Sequence, residues 1–476
     1  MGAYDEITPK HTVNAVALAI IFGVIGASLL GLVTDHMFFR RRLKGIPDDR
    51  PRGWTMGLII ASYILLIPGL LHTLFGYRIA AVNGMEVLSE RKENMVEFAH
   101  ELLTSGSISG FLFVVGFAIV LPLLKMCLLI TGGILRHSQN RDRRLFARRC
   151  ILFVQRISKW ASPDMFAYIL LVYLIRGFNH PPILNGFMDL DIGFSCFATF
   201  CVASTISSLG VRMPHGRDLV ADGVGGAPWG FTPLPVLVLT VVLFVVFVIT
   251  FYKGMLLPCM KLRLELDSLF ASGEIDPSLK EVVESLGIQE MAANNVSIWN
   301  CTTALWDWIP PRGVDPNDPW STAKDYWEVN SLIAFILMTV LVISFTILDM
   351  LFLVAMAVYM QMYRHRLPHS IGITHFLRKM SMLDVCITGV FVIILAGGIY
   401  EKSGVQLGRL EGLNYLLVAE LCHYLCYFLV SMTARCDHPH GISNGEGAKP
   451  GYTRQDGEDG DSAKEYDETD SETDVE

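Results

Sequence analysis

Long apolar blocks are the feature that most constrains how this chain folds. A segment that crosses a bilayer needs roughly 20 mostly apolar residues. The sequence contains nine such blocks: Val13–Val33, Met56–Phe75, Gly110–Leu135, Met165–Ile175 with its flanks, Gly193–Leu209, Leu234–Thr250, Ser331–Tyr359, Leu383–Tyr400 and Leu413–Met432. Because lipid offers no hydrogen-bond partner to an open backbone, these segments are expected to be helices. The sequence therefore predicts an all-α polytopic membrane protein, in which the short fourth block and the Gly-interrupted eighth are the weakest spans.

The negative charge of the chain is concentrated at its C-terminus. The net charge is −8, but Asp456–Glu476 holds eleven acidic residues and one lysine, so the remainder is slightly basic, at about +2. The tail has few apolar residues and cannot bury enough surface to order itself. We therefore expect residues 436–476 to form a disordered acidic tail.

Basic residues indicate how the chain is oriented in the membrane. They are concentrated in three connecting segments: Arg40–Arg52, Arg136–Lys159 and Tyr363–Lys379. These segments lie on one face if all nine blocks cross, and Lys and Arg favour the cytoplasmic face. The sequence therefore predicts an N-terminus outside the cytoplasm, or in a lumen, and a cytoplasmic C-terminus.

The orientation places the long segment 261–328 outside. It contains two glycosylation sequons, at Asn295 and Asn300. Its stretch Trp299–Trp327 also holds five of the eight tryptophans of the chain. Because tryptophan prefers the headgroup level, this stretch is expected to lie along the membrane surface, as an interfacial anchor or as a lipid-facing platform.

Weak self-similarity divides the body of the chain into two units. Lys159-x4-Asp164 opens the fourth block, and Lys379-x4-Asp384 opens the eighth, 220 residues later. Other matches occur in the same order, with offsets that rise along the chain from 186 through 203 to 220. This pattern predicts two parallel four-helix repeats, since each has an even number of spans. The expected domains are an anchor helix with its basic loop at 1–54, a first unit at 55–215, a second at 216–435 and the tail.

Short motifs at these positions point to a family. The eighth block opens with Met380-Ser-Met-Leu-Asp384-Val385, the fourth opens with Trp160-Ala-Ser-Pro-Asp164-Met-Phe166, and the third contains Pro122-Leu-Leu-Lys125. The motifs resemble the Trp-Ser-Met-x-Asp-Val-Phe and Pro-x-x-Lys signatures of the paraquat-inducible protein A family of bacterial inner-membrane proteins. The resemblance covers roughly residues 55–435. It implies tandem four-helix units and a part in lipid movement beside an MCE-type or other accessory protein.

The chain also departs from this family. Its members often carry cysteine zinc ribbons, whereas this sequence has no Cys-x-x-Cys pair, so no metal and no cofactor are expected. In the second unit the Pro-x-x-Lys site reads Thr346-Ile-Leu-Asp349, and the basic residue has become acidic.

Ionisable residues inside spans are costly and are therefore candidates for function. Lys125 and Asp349 occupy equivalent places, which suggests an ion pair across a pseudo-twofold axis; the alternative is that each bonds separately to nearby backbone or hydroxyl groups. Asp164 and Asp384 begin their helices, where a carboxylate accepts free N–H groups. The serines Ser162 and Ser381 fit the same capping role, and the alternative is that all these groups line a polar path.

Three further residues are weaker candidates: Arg176, His72 and Glu420. Snorkelling towards the outer surface explains Arg176 without any function. In the last block, Cys422, His423 and Cys426 lie close along the helix, and buried cysteines acting as small apolar residues are favoured there.

The sequence favours a membrane transport component and contains no recognisable enzyme motif or nucleic-acid-binding feature. Lipid is the cargo that the family resemblance implies, moving along a path bordered by Lys125, Asp164, Asp349 and Asp384. The alternative is a non-transporting scaffold or receptor that binds partners through the Trp-rich segment and the acidic tail.

Overall fold

The protein is described here by a computed structural model. It describes residues 9–39, 52–81, 86–177, 184–212, 233–264, 293–311, 326–363, 368–397 and 405–436. Trp320 and the predicted disordered tail beyond residue 436 lie outside these ranges.

Helices dominate the described part of the chain. They are α1 Lys10–Thr34, α2 Gly53–Leu71, α3 Met95–Thr104, α4 Ile108–Val115, α5 Leu121–Leu135, α6 Arg141–Ile157, α7 Pro163–Arg176, α8 Ile192–Gly210, α9 Pro233–Leu256, α10 Ile298–Trp308, α11 Val329–Ile336, α12 Phe345–Tyr363, α13 Pro368–Met380, α14 Leu383–Ala396 and α15 Glu411–Cys436. Two π-helical stretches, Gly116–Val120 and Leu337–Ser344, join α4 to α5 and α11 to α12.

Within the ranges given above, eight helical segments are long and apolar enough to cross a membrane. They are Lys10–Met37, Gly53–Leu71, Ile108–Leu135, Ile192–Gly210, Leu234–Leu256, Val329–Met362, Gly372–Ala396 and Glu411–Thr433. The prediction of a multi-pass helical membrane protein is therefore confirmed. The fourth predicted span falls on α7, whose 14 residues extend only ~21 Å at 1.5 Å per residue, less than the ~30 Å hydrocarbon core.

Protein rather than lipid surrounds α7. Almost every residue of this helix is buried, and so are most residues of the equally short α14. The two helices touch through Gly389, where an added Cβ would lie 2.8 Å from the carbonyl oxygen of Pro163. Because α7 and α14 form the centre of the bundle, neither has to match the bilayer thickness.

In the described part of the chain, six short strands form two small sheets, which the sequence pattern did not predict. The strands are β1 Phe75–Ala81, β2 Glu86–Glu93, β3 Leu184–Leu190, β4 Met260–Leu264, β5 Ala293–Val296 and β6 Val405–Arg409. Both sheets are antiparallel, with strand orders β2-β1-β3 and β5-β4-β6. They satisfy backbone groups at the end of the bundle where α2 and α9 finish, which we call the sheet end. The opposite end, which carries α6 and α13, is called the basic end.

The same order of elements occurs in residues 53–210 and in residues 233–436. Counting the described α-helices and strands alone, each half runs helix, two strands, five helices, strand and helix. The short helices α3 and α10 are capped at corresponding positions, since the side chains of Asn94 and Ser297 accept the N–H groups of Glu97 and Asn300. This spacing of 203 residues equals the offset that relates the two stretches in the sequence.

A glycine at the start of the last helix of each half allows a close backbone contact. Gly193 of α8 contacts the segment that follows α2, and Gly412 of α15 contacts the segment that follows α9. Gly193 N–H donates to the carbonyl of Thr73, and Gly412 N–H donates to the carbonyl of Pro258. A Cβ on Gly193 would lie 2.5 Å from the carbonyl oxygen of His72. Backbone atoms cannot rotate away, so these positions exclude a side chain.

We predict that Gly193→Ala lowers the stability of the purified protein by about 1–3 kcal/mol, because the new methyl group overpacks against backbone. Gly133→Ala in α5 is the matched control, since a Cβ there meets nothing within 4 Å. It is expected to stabilise slightly, by about 0.5–1 kcal/mol. Thermal unfolding in one detergent measures both variants. Equal effects would contradict the contact.

Candidate functional site

A connected cluster of charged groups lies inside the second half of the bundle. Its centre is His423 on α15, whose side chain is fully buried. The Nε2 atom of His423 lies 2.8 Å from an oxygen of Asp349, and Nδ1 lies 3.2 Å from an oxygen of Glu420. Arg378 at the end of α13 donates to Glu420 over 3.2 Å and reaches Nδ1 of His423 at 2.7 Å. Two carboxylates, one guanidinium and one imidazole therefore share one site.

This geometry is compatible with two proton arrangements. With a neutral His423, Nε2–H donates to Asp349 and Nδ1 accepts from Arg378, and the cluster then carries one uncompensated negative charge unless a carboxyl is protonated. With an imidazolium, both ring nitrogens donate to carboxylates and the charges balance, but Arg378 loses its bond to the ring. Because a histidine nitrogen accepts or donates according to its protonation, one proton can relocate within the cluster without a change of fold.

Asp384 links this cluster to the first half of the chain. Arg378 lies 3.7 Å from the ring centre of Tyr424, whose hydroxyl donates to Asp384 over 2.6 Å. The same Asp384 oxygen forms a 2.7 Å ion pair with Lys159. Lys159 also donates to the carbonyl of Ser381 over 3.2 Å. An ion pair inside the bundle thus joins the start of α14 to the segment before α7.

The two remaining residues of the Lys-x4-Asp motifs, Lys379 and Asp164, do not form the equivalent ion pair in the described structure. Lys379, the counterpart of Lys159, donates to Gln155 over 3.0 Å. Asp164, the counterpart of Asp384, is 1% exposed, and neither of its oxygens has a hydrogen-bond partner among the described residues. It faces a cavity of about 20 Å³ between α7 and α14, lined by apolar side chains such as Val392 and Leu407 and by Tyr168. A cavity of this size has room for about one water molecule.

The hypothesis of a Lys125–Asp349 ion pair is wrong for this structure. The ammonium group of Lys125 donates to the hydroxyl of Ser158 over 2.7 Å, and to the carbonyl and hydroxyl of Ser204 over 2.7 and 3.2 Å. Asp349 is instead held by His423. The alternative, in which each group bonds separately to polar atoms nearby, describes Lys125, because a lysine has three donors and all three are used here.

Helix capping does not account for the motif residues either. The hydroxyl of Ser162 donates to the carbonyl of Lys159, and that of Ser381 pairs with Thr346 at 2.8 Å. Neither α7 nor α14 has a side-chain cap bond at its N-cap residue. Among the backbone N–H groups of the described residues, Asp384 accepts that of the adjacent Val385 and no other. Pro163 occupies the first turn of α7, as its fixed φ favours.

Arg176 does not snorkel to a free surface. Its guanidinium donates to the carbonyl of Met188 and to Asp189, both over 2.7 Å, and to Glu328 over 3.3 Å. It also lies 4.5 Å from the ring centre of Trp308. Arg176 therefore joins α7, β3, α10 and α11 at the sheet end, and its role there is structural.

The remaining candidates lie on the surface of the sheet end. His72 is the exposed C-cap residue of α2. Asn295 in β5 and Asn300 in α10 are also exposed, which leaves both sequons accessible. The side chains of Trp299, Trp306 and Trp327 are 48%, 58% and 61% exposed, as interfacial tryptophans are expected to be.

Several residues of the cluster were missed from the sequence. Arg378 belongs to a basic segment that was used for orientation alone, Lys159 was used for orientation and as a marker of the repeat but not as a site residue, and His423 was grouped with two cysteines. The spacing of Glu420 and His423, three residues apart on one helix face, was the available signal. No group of three or more metal ligands occurs among the described residues.

We predict that Lys159→Met destabilises the protein by about 3–5 kcal/mol, because Asp384 loses its cation inside the bundle. Lys379→Met, the same change 220 residues later, removes one hydrogen bond to a neutral partner and is expected to cost about 0.5–1.5 kcal/mol. Thermal unfolding of both variants in one detergent provides the comparison. Similar losses of stability in the two variants would show that the Lys159–Asp384 ion pair contributes no more than the Lys379–Gln155 hydrogen bond.

A pH prediction concerns Asp189 at the sheet end. Burial disfavours its carboxylate, but the charges of Lys10 and Arg176 outweigh this effect and hold the pKa of Asp189 below its usual range. Ionised Asp189 therefore stabilises the fold above the unfolded pKa of about 3.9, and the contribution is lost as pH falls through the lower folded value. Asp189→Asn is expected to be less stable than the parent protein at neutral pH, with the difference shrinking below about pH 4. A pH series of unfolding temperatures measures this, and a difference that is constant with pH would contradict it.

Comparison with known proteins identifies the first half of the chain. The family model of paraquat-inducible protein A matches residues 53–212. No curated protein and no solved structure matches the chain significantly. The matched region begins at α2 and ends directly after α8, and it contains Pro122, Lys125 and the first Lys-x4-Asp motif. The match supports the resemblance seen in the motifs for the first of the two halves: residues 53–212 of this membrane protein are similar to paraquat-inducible protein A.

Proposed function

We propose that this protein is an integral component of a transport system and that its cargo is membrane lipid. The family of residues 53–212 motivates the choice of lipid, together with an MCE-type or other accessory protein as the partner. The proposal treats the two halves as parallel four-helix units. The repeated order of elements, the equivalent caps Asn94 and Ser297 and the equivalent glycines Gly193 and Gly412 support this division.

The observation that carries the proposal is the connected charge cluster inside the bundle. Ionisable groups within spans are costly and usually mark the path of a substrate, an ion or a proton. Here Asp349, His423, Glu420 and Arg378 form one buried site within hydrogen-bond distance of each other. For a scaffold the use of such a site is to hold helices together, as the Lys159–Asp384 pair does, whereas a transporter can also use it in the transport step.

The cluster supports a role for proton movement in the transport step. One proton has two arrangements around His423, and the second oxygen of Asp349 is buried with no hydrogen-bond partner among the described residues. In the same part of the chain, neither oxygen of Asp164 has a hydrogen-bond partner. An ionised carboxylate in such surroundings is strongly disfavoured unless a cation or a donor reaches it. Asp349 meets this condition through its other oxygen, which contacts His423, whereas Asp164 has no such partner among the described residues.

The distribution of basic residues supports an orientation for this transporter. The basic end carries α6 and α13, and the excess of Lys and Arg there favours the cytoplasmic face. In this orientation the sheet end, with Asn295, Asn300 and the exposed tryptophans, faces outward. The C-terminal tail then lies in the cytoplasm.

A scaffold or receptor is the second candidate function. Its support is the exposed aromatic surface of Trp299, Trp306 and Trp327 at the sheet end, because aromatic residues are enriched where proteins bind each other. The acidic tail would then recruit partners on the other side. This function needs the surface residues and does not need Asp349 or Glu420.

The two functions differ in their response to Asp349→Asn. Asparagine keeps the shape and still hydrogen-bonds His423 but carries neither the charge nor the proton. We expect lipid movement between reconstituted vesicle leaflets to slow at least about tenfold, which corresponds to ~1.4 kcal/mol in the barrier. Glu420→Gln is expected to act in the same direction, since it changes the same cluster.

Asp142→Asn is the control for this experiment, since Asp142 is an exposed carboxylate at the start of α6, outside the cluster. All variants are compared at equal amounts of monodisperse protein. A variant counts as well folded when its unfolding temperature is close to that of the parent protein. Normal lipid movement by well-folded D349N and E420Q proteins would overturn the transport proposal and favour the scaffold.

A further inference from the structure

Helix α1 lies outside the matched family region and is held at both of its ends. At the sheet end, the amide of Asn14 donates to the carbonyl of Trp327 over 2.5 Å and accepts the N–H of Val329 at 3.1 Å. Lys10 forms a 2.7 Å ion pair with Asp189 there. At the basic end, α1 and α2 pack backbone to backbone. The start of α1 is thus tied to α11, whereas its end is tied to α2.

Small residues make the contact at the basic end. An added Cβ on Gly31 would overlap the carbonyl of Gly53, and one on Gly57 would overlap the carbonyl of Ala27. The side chain of Asp35 also accepts the N–H of Gly53. Helix α1 therefore contacts α11 near its start and α2 towards its end.

An apolar groove of about 430 Å³ lies under the middle of α1. Ile21, Ile25 and Leu29 of α1 form one wall, and α2, α8 and α11 contribute Leu58, Val202 and Ile336 to the others. The small side chains Ala198 and Ala203 of α8 leave the hollow open. Its volume lies within the ~300–1,000 Å³ that ligand pockets occupy.

The depth of the groove determines what can fill it. Residues 21–29 begin 11 residues after Lys10 and end 8 residues before Met37, the bounds of this span. At 1.5 Å per residue they lie more than ~12 Å from either end of the helix, within the ~30 Å hydrocarbon core. Only a hydrocarbon chain is available at this depth, and the almost wholly apolar walls offer it no polar competitor.

Two arginines lie at the ends of α2 and α8 that face the basic end of the bundle. Arg52 is the N-cap residue of α2, six residues before Leu58, and Arg212 follows α8, six residues after Ile206. Each lies ~9 Å along its helix direction from the groove. The ends of α2 and α8 touch, since a Cβ on Gly210 would meet the side chain of Trp54. Two cations at the headgroup level favour an anionic lipid, at about 1 kcal/mol for each basic residue.

We propose that the groove between α1, α2, α8 and α11 binds one acyl chain of an anionic phospholipid, with its phosphate near Arg52 and Arg212. The lipid is held there whether or not the protein moves lipid, so this site is independent of the proposed function. Its binding depends on α1, the helix that the family match does not include.

Photo-crosslinking tests this site on the full-length protein in nanodiscs. The probes are phosphatidylglycerol and phosphatidylcholine that carry a diazirine at the middle of one acyl chain. We expect the phosphatidylglycerol probe to label peptides that contain Val202 or Ile336. Ile25→Trp fills the groove and is expected to reduce this labelling about tenfold, a loss of ~1.4 kcal/mol in binding.

Leu30→Trp is the matched control, because Leu30 lies on the same helix, is 66% exposed and does not line the groove. Leu29→Trp is a second groove-filling variant in case Ile25→Trp does not fold. Equal labelling of groove-filling and control variants would overturn the acyl-chain site. Equal labelling by both probes, or unchanged preference in the Arg52→Gln/Arg212→Gln double variant, would overturn the assignment to an anionic lipid.

Discussion

The ion pair between Lys159 and Asp384 holds together the two short helices on which the rest of the bundle packs. It connects the segment before α7 with the start of α14, and both helices are almost entirely enclosed by protein. Two ions removed from water require good geometry and further hydrogen bonds to be tolerated. Here Tyr424, the carbonyl of Ser381 and the N–H of Val385 supply those bonds. The pair therefore fixes the position of α14 relative to α7, and the longer helices pack around these two.

The two Lys-x4-Asp motifs show how equal sequence positions acquire different roles. Asp384 has a cation and two hydrogen-bond donors, whereas Asp164 faces a small cavity without any bond to its carboxyl oxygens in the described part of the chain. Lys379 donates to the neutral side chain of Gln155, whereas Lys159 forms an ion pair with Asp384. This difference leaves the buried carboxyl group of Asp164 at the interface of α7 and α14 with no hydrogen bond among the described residues. A bound proton, or a change of conformation that brings a donor to it, would stabilise this group.

The sheet end and α1 are stabilised by different means. The small sheets, with Gly193 and Gly412 against backbone carbonyls, satisfy N–H and C=O groups where the helices end. The cluster of Lys10, Asp189, Arg176 and Glu328 then ties α1, β3, α7 and α11 together. Helix α1 is held near its start by α11 and towards its end by α2, and an open apolar groove lies beneath its middle.

The sequence alone determined the membrane class and the positions of most spans, because hydropathy is a property of local segments; the fourth block, which falls on α7, is too short to cross a bilayer. Short motifs also indicated the family whose model matches residues 53–212. The sequence singled out Asp164, Asp349, Asp384 and Glu420 as candidates, since charged residues stand out in or beside apolar blocks. It did not determine the partners of these acids. Periodicity shows which face of a helix a residue occupies, but the opposing residue belongs to another helix and depends on packing. Only the tertiary structure decided that His423 binds Asp349, that Lys125 is satisfied by serines and that Asp164 has no hydrogen-bond partner among the described residues.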